Sequence, residues 1–143
     1  MTRDIFLKNF INKASILSED NLDEFMLLYS ENCIFTDPFH SVKGKGKVKK
    51  IYQSMLTNLY DAKFTEIKSV FSDNELILRW RLSFKTKSHR KDVQIPGVSY
   101  LILNHHSLIE NHEDFWDSSL LLVQFFPLNF SINWAKSIIK KNI

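Results

Sequence analysis

Between Glu75 and Lys85 the chain alternates without interruption. Leu76, Leu78, Trp80, Leu82 and Phe84 interleave with Glu75, Ile77, Arg79, Arg81, Ser83 and Lys85. Side chains on a strand point alternately to its two faces. The stretch is therefore a long strand with one buried face and one largely polar face. A one-residue slip would turn every apolar group outward, which pins its register. The flanking stretches Lys63–Phe71 and Gln94–Leu103 read as its neighbours, and Ser107–Trp116 as a further strand after a tight turn at Asn104, His105 and His106.

Ahead of the strands the apolar period is that of a helix. Phe6, Phe10, Ala14 and Leu17 mark a first amphipathic helix. Asn21 with Glu24 forms a capping arrangement that opens a second, short helix through Phe25, Met26 and Tyr29. Cys33 to Asp37 reads as a short strand stopped by Pro38, because proline cannot donate to a ladder. Gly44 and Gly46 then precede a long helix with Val48, Ile51, Tyr52, Met55 and Leu59 on one face. Helices followed by an antiparallel meander define an α+β domain, with helices on one face of the sheet. If the sheet curls, its concave face and the helices enclose a cavity. From about residue 118 a helical tail follows, split by Pro127. Its second piece carries Phe130, Trp134 and Ile138 at i, i+4 and i+8, with Ile139 beside them. That stripe is expected to pack on the body of the domain.

Composition excludes several classes. An apolar fraction of 44% with twelve Phe rules out disorder, and three Gly and three Pro leave no room for a low-complexity linker, so residues 1–143 are expected to form one domain. A formal charge of +3 is too mild for a nucleic-acid binder. Ser119–Leu128, the most apolar stretch, is broken by Gln124 and Pro127 and is far shorter than the ~20 residues of a membrane span. The N-terminal residues are charged where a signal peptide needs an apolar run. Cys33 is the lone cysteine, so no intrachain disulfide forms and a reducing, cytoplasmic setting is expected. In the apolar entry Cys33-Ile34-Phe35 a buried, inert thiol outweighs a nucleophile.

Two segments could carry chemistry. In Thr36-Asp37-Pro38-Phe39-His40 a carboxylate sits at a strand end beside an imidazole, held by the proline that follows it. It is either a general base at a pocket mouth or an acceptor for backbone N–H groups of the turn. On the last strand, alternation puts His112, Asp114 and Trp116 on one face and Glu113, Phe115 and Asp117 on the other. Two ionisable groups beside a tryptophan make poor core filler. The five histidines, His40, His89, His105, His106 and His112, form no close-spaced ligand motif, so no metal is expected. The cluster Lys43 to Lys50 lacks phosphate-loop spacing, and a solvated basic corner outweighs an anion site there.

Taken together, these segments resemble the SnoaL-like and ketosteroid-isomerase-like branch of the nuclear transport factor 2-like superfamily. Leu28 to Pro38 resembles its helix-to-strand passage ending in Asp-Pro, and Gly44 to Tyr52 its glycine-opened helix. His112 to Asp117 resembles its closing-strand motif, and Leu122 to Lys141 the proline-broken tail of a bacterial subgroup. The resemblance implies a cone-shaped α+β barrel, its N-terminal helices packed into a curved antiparallel sheet. It also implies a homodimer paired through the face bearing Ile77, Arg79, Arg81 and Ser83; no cofactor is expected, since proton transfer within an enclosed pocket needs none. Asp37 falls where ketosteroid isomerases keep a proton-shuttling Asp, and Asp114 resembles the strand Asp of limonene-epoxide hydrolase-like members. Departures are plain: the first helix has no oxyanion-hole Tyr, Ser99 takes the approximate place of a second acid, and Leu78, Trp80 and Leu82 stand where an Arg-x-Asp pair would.

The expected site is thus a cone lined by Tyr29, Tyr52, Trp80 and Trp116, with Asp37, His40, His112 and Asp114 as polar groups. Its ligand would be a small apolar or carbonyl-bearing molecule. One reading is an acid–base enzyme of isomerase, cyclase or hydrolase type, with Asp37 as base and His112–Asp114 as donor or orienting dyad. The other is a non-catalytic ligand-binding protein or dimeric scaffold, whose pocket its own Trp and Phe side chains would fill.

Overall fold

The computed structural model describes residues 2–86, 90–125 and 128–141; His89 and Pro127 lie outside the described residues. Three helices come first or early: α1 (Arg3–Ser15), α2 (Leu22–Met26) and, between strands, α3 (Lys45–Asn58). The strands are β1 (Tyr29–Thr36), β2 (Ser41–Lys43), β3 (Tyr60–Ser72), β4 (Glu75–Lys85), β5 (Asp92–Leu103) and β6 (Ile109–Trp116), and α4 (Ser119–Leu122) and α5 (Leu128–Lys141) close the chain. The strands form one curved, open sheet in the order β2-β1-β6-β5-β4-β3.

The alternating segment is β4, and Leu76, Leu78, Trp80, Leu82 and Phe84 are all buried on its inner face. The meander β3–β6 is antiparallel as expected, whereas β1 joins β6 in parallel, Phe35 opposite His112. Helix α3 and four strands intervene between β1 and β6, ample length for a parallel return. Helix α1 lays Phe6, Phe10 and Ala14 into the concave side. An aromatic ladder runs inward from there, Phe6 to Phe10 (6.1 Å), Phe10 to Phe25 (5.7 Å) and Phe25 to Tyr52 (5.2 Å between ring centroids).

Three local readings need correction. The second helix stops at Met26, and Tyr29 opens β1 instead of ending the helix. Asn21 does not cap α2 with its side chain; its Oδ1 accepts from Ser18 N (2.8 Å) and closes a single 3₁₀ turn ahead of the helix. The tail stripe turns outward, with Phe130 65%, Trp134 68% and Ile138 41% exposed. Helix α5 packs chiefly on the short α4 rather than on the sheet.

Strand β3 is bulged twice, at register shifts flanked by Tyr60/Lys63 and Thr65/Lys68, and the residues with positive φ there are Asp61 and Glu66. The second bulge matters for the interior. Phe64 and Ile67 are three apart, so strict alternation would send them to opposite faces, yet both line the same cavity. Gly97 matters for a different reason. A Cβ there would come within 2.2 Å of the Trp80 indole, which lies across it from the paired position on β4. Gly97→Ala is therefore expected to cost ~1–3 kcal/mol of stability through forced repacking, measured by urea denaturation. Trp80→Phe in the Gly97→Ala background should recover part of that loss; an equal loss in both backgrounds would show that Trp80 is not what demands the glycine.

Candidate active site

The inner face of three adjacent strands brings the polar residues together. Register places Ser99 of β5 opposite Asp114 of β6, and Leu101 opposite His112. Leu78 and Trp80 of β4 lie opposite Ser99 and Gly97. Trp80 Nε1 donates to Ser99 Oγ at 2.7 Å, and Ser99 Oγ donates to Asp114 Oδ1 at 2.5 Å. His112 Nε2 lies 2.6 Å from the same Oδ1. From the other ring nitrogen the chain continues, His112 Nδ1 to Tyr29 Oη at 2.8 Å and Tyr29 Oη to Tyr52 Oη at 2.7 Å. Six residues thus form one continuous run of hydrogen bonds through the core.

Its ends determine its direction. An indole N–H only donates and an ionised carboxylate only accepts. With Asp114 ionised and His112 neutral, Nε2–H donates to Asp114, so Nδ1 must accept from Tyr29, which in turn accepts from Tyr52. If His112 takes a second proton, Nδ1 also donates, and both tyrosine hydroxyls must turn round. His112 is only 3% exposed, and its ring is wedged between Phe35 (4.8 Å) and Tyr29 (5.9 Å, near-parallel). Asp114 keeps 16% of its side-chain surface exposed. Burial first, then the neighbouring Tyr52 and the Asp114 charge, raise the Tyr29 pKa well above the usual phenol range. Burial and then Asp114 do the same for Tyr52. Both hydroxyls therefore remain protonated at physiological pH.

A cavity of ≈ 30 Å³ adjoins this run, lined by Tyr52, Trp80, Ser99, His112 and Asp114 on its polar side and by Phe10, Ala14, Phe25, Phe64 and Ile67 on its apolar side. That volume suits a water or two. It is about a fifth of the ~150 Å³ that admits benzene. A wider hollow of ≈ 460 Å³ lies at the surface where the α1–α2 turn meets the α3–β3 junction, and none of the expected site residues lines it.

The structure unites Tyr29, Tyr52, Trp80, Ser99, His112 and Asp114 and leaves Asp37, His40 and Trp116 in a second group. Asp37 Oδ1 accepts from Phe39 N (2.8 Å) and His40 N (2.7 Å), and His40 Nδ1 lies 2.9 Å away. The carboxylate is thereby engaged in building the β1–β2 turn. Phe39 of that turn meets the Trp116 ring edge-on at 5.6 Å. The Phe64–Ile67 wall was hidden in the sequence, since nothing about Glu66 announces a bulge. Phe10, Ala14 and Phe25 carried only a core signal. Cys33 is fully buried and its thiol is pushed up by that burial, in keeping with an inert group. Two lysines of the basic corner are paired, Lys45 with Glu31 (3.4 Å) and Lys49 with Asp23 (2.5 Å). No cluster of metal-ligating residues occurs among the described residues.

Known structures share this architecture. A protein of ketosteroid isomerase-like fold from Catenulispora acidiphila, solved with trimethylamine, superposes with a TM-score of 0.72 at 12% identity, covering 87% of this chain and 93% of its own. A proposed SnoaL-like polyketide cyclase from Shewanella putrefaciens gives 0.67 at 15% identity, over 85% of this chain and 84% of its own. An NTF2-like protein from an Exiguobacterium species gives 0.68 at 18% identity, over 78% and 98%. These likenesses define the NTF2-like cone fold. Residues 10–111 match the SnoaL-like domain family, to which the chain belongs. No curated protein matches the sequence significantly.

If the run of hydrogen bonds acts as a unit, its distant members are coupled. In a double-mutant cycle, Tyr29→Phe and Asp114→Asn, which do not touch, should show an interaction energy of at least ~0.5 kcal/mol in denaturant unfolding. Strict additivity would show that the bonds are independent.

Proposed function

We propose that this protein binds a small, largely apolar molecule bearing one polar group, such as a carbonyl, and that the His112–Asp114 dyad moves a proton to or from it. The dyad itself carries this reading: a buried imidazole bonded to a carboxylate on the wall of an aromatic cavity. Leaving one of the two charged and unpartnered in such a place would cost several kcal/mol, and a purely structural interior could be filled with apolar groups instead. Both bonds to Asp114 use Oδ1, so Oδ2 takes part in neither and is the atom to receive a substrate proton. Tyr52 answers the protonation of His112. With a neutral imidazole its hydroxyl hydrogen is committed to Tyr29. A proton passed from the cavity through Tyr52 and Tyr29 to Nδ1, each hydroxyl handing on its own hydrogen, makes the imidazolium, and the hydrogen then on Tyr52 faces the cavity and can hold a carbonyl oxygen. Asp37, read from the sequence as the base, serves in this reading to shape the turn beside Trp116, because its carboxylate is already engaged by N–H groups.

Family membership supports small-molecule chemistry of cyclase or isomerase type, and a ligand as small as trimethylamine occurs with a protein of this fold. A polycyclic skeleton would require Trp80 to leave its seat on Gly97. The second reading, a binding protein or scaffold without turnover, draws on one observation: Trp80, Phe64, Phe10 and Phe25 already fill most of the interior. Native mass spectrometry of freshly purified protein tests the binding that enzyme and carrier share, with a retained ligand expected, and turnover of that ligand separates the two. Against that ligand, Asp114→Asn should abolish turnover while affinity stays within about tenfold, or ~1.4 kcal/mol. Bare protein that takes up no small carbonyl compound would reject the enzyme reading.

The same proposal makes the protein a homodimer paired through the outer face of β4. Arg81 there is already held by Glu66 (2.7 Å) and Gln94 (3.2 Å), which lowers the cost of burying it. Light scattering at micromolar concentration should return twice the chain mass, and a monomer would reject this arrangement.

A further inference from the structure

Helix α5 joins an outward apolar stripe to a purely positive charge. Its sequence, Leu128 to Lys141, has no acidic residue and carries Lys136, Lys140 and Lys141. At about 100° per residue, Phe130, Trp134, Ile138, Leu128 and Ile139 fall within roughly half of the circumference. Asn129, Asn133, Lys136 and Lys140 fall opposite them. The orientation of the helix is the reverse of what a core would demand. Asn129, Ile132 and Lys136 are the half-buried positions, with Lys136 Nζ 3.9 Å from Asp117, while the large apolar side chains face out. Asn129 Oδ1 is buried there without a hydrogen-bond partner, so the inner contact is not a finely matched one.

We infer that α5 docks this protein on the surface of an anionic lipid bilayer. The charge of the helix is purely positive, which suits lipid phosphates and carboxylates and opposes basic partners. Tryptophan with Phe and Ile on one face and Lys136 and Lys140 on the other is the amphipathic pattern of an interfacial helix. Lys141 falls within the apolar arc, where its stem can lie among the apolar groups while its ammonium reaches the headgroups. Fourteen residues span about 21 Å, short of the ~30 Å hydrocarbon core, so the helix lies on the bilayer. Consistently, no helix among the described residues is long and apolar enough to cross a membrane. A second copy fits this face less well. A helix of this length and ~10 Å width offers a footprint of roughly 200 Å², against the ~800 Å² per partner of a stable interface.

The test is co-sedimentation of the full chain with phosphatidylcholine vesicles, with and without phosphatidylserine. Binding is expected only where phosphatidylserine is present, and should weaken as salt rises. Phe130→Ser with Trp134→Ser should lower it at least ~tenfold, and Lys140→Gln with Lys141→Gln should lower it on anionic vesicles. Because these side chains are exposed, the variants should keep the wild-type melting temperature, which a calorimetric scan checks. Absence of vesicle binding, or equal binding to neutral and anionic vesicles, would overturn the inference. So would a dimer seen by light scattering that Trp134→Ser alone dissociates, since that would make a second copy the occupant.

Discussion

One carboxylate oxygen organises the interior. Asp114 Oδ1 receives both the Ser99 hydroxyl and the His112 imidazole, and everything polar in the core leads to it. A buried acceptor of this kind is costly unless its donors are held in place. The fold holds them by register alone: Ser99 faces Asp114 across β5–β6, and His112 stands two residues away on the same face. The donors' own needs then propagate outward, through the indole of Trp80 on one side and two tyrosines on the other. Moving β6 by a residue would turn His112 and Asp114 away from both Tyr29 and Ser99.

Period-two patterning made much of this legible. The alternation in β4 gave the burial of Trp80, and the same rule put His112 and Asp114 on one face of β6, as the structure has them. What escaped was set by tertiary geometry. Tyr29 sits where helical spacing from Phe25 ends and strand pairing with Ile109 begins, and only that pairing decides between the two. Asp37 looked equally suited to chemistry or to a turn, because the sequence shows a carboxylate before proline but not which donors surround it. Alternation cannot see Glu66, whose positive φ resets the phase of β3. The tail's stripe is a genuine helical face; its periodicity says that it will be apolar, not which way it will turn.

Interior volume connects fold to function more tightly than any single residue. The concave face that the family fold provides is largely taken up by the protein's own rings, and the remaining space is water-sized. Trp80 is the chief occupant. It is seated on a glycine and tied to the polar run by one hydrogen bond. Any larger guest competes with that indole for both the space and the Ser99 oxygen. In the proposed binding role, selectivity depends on how readily that side chain gives way.

The bulges of β3 bear on something besides the cavity wall. β3 is an outer strand of the sheet, and an outer strand with an even row of unpaired N–H and C=O groups is a template on which other chains can grow. Residues at positive φ twice interrupt that row, at Asp61 and Glu66. Deleting Glu66 would remove one of the two interruptions and lengthen the even stretch able to recruit further strands. Phe64 and Ile67 would then stand two apart and would still share the inner face by plain alternation. The bulge at Glu66 thus breaks the edge that other chains could join while leaving Phe64 and Ile67 together on the cavity wall.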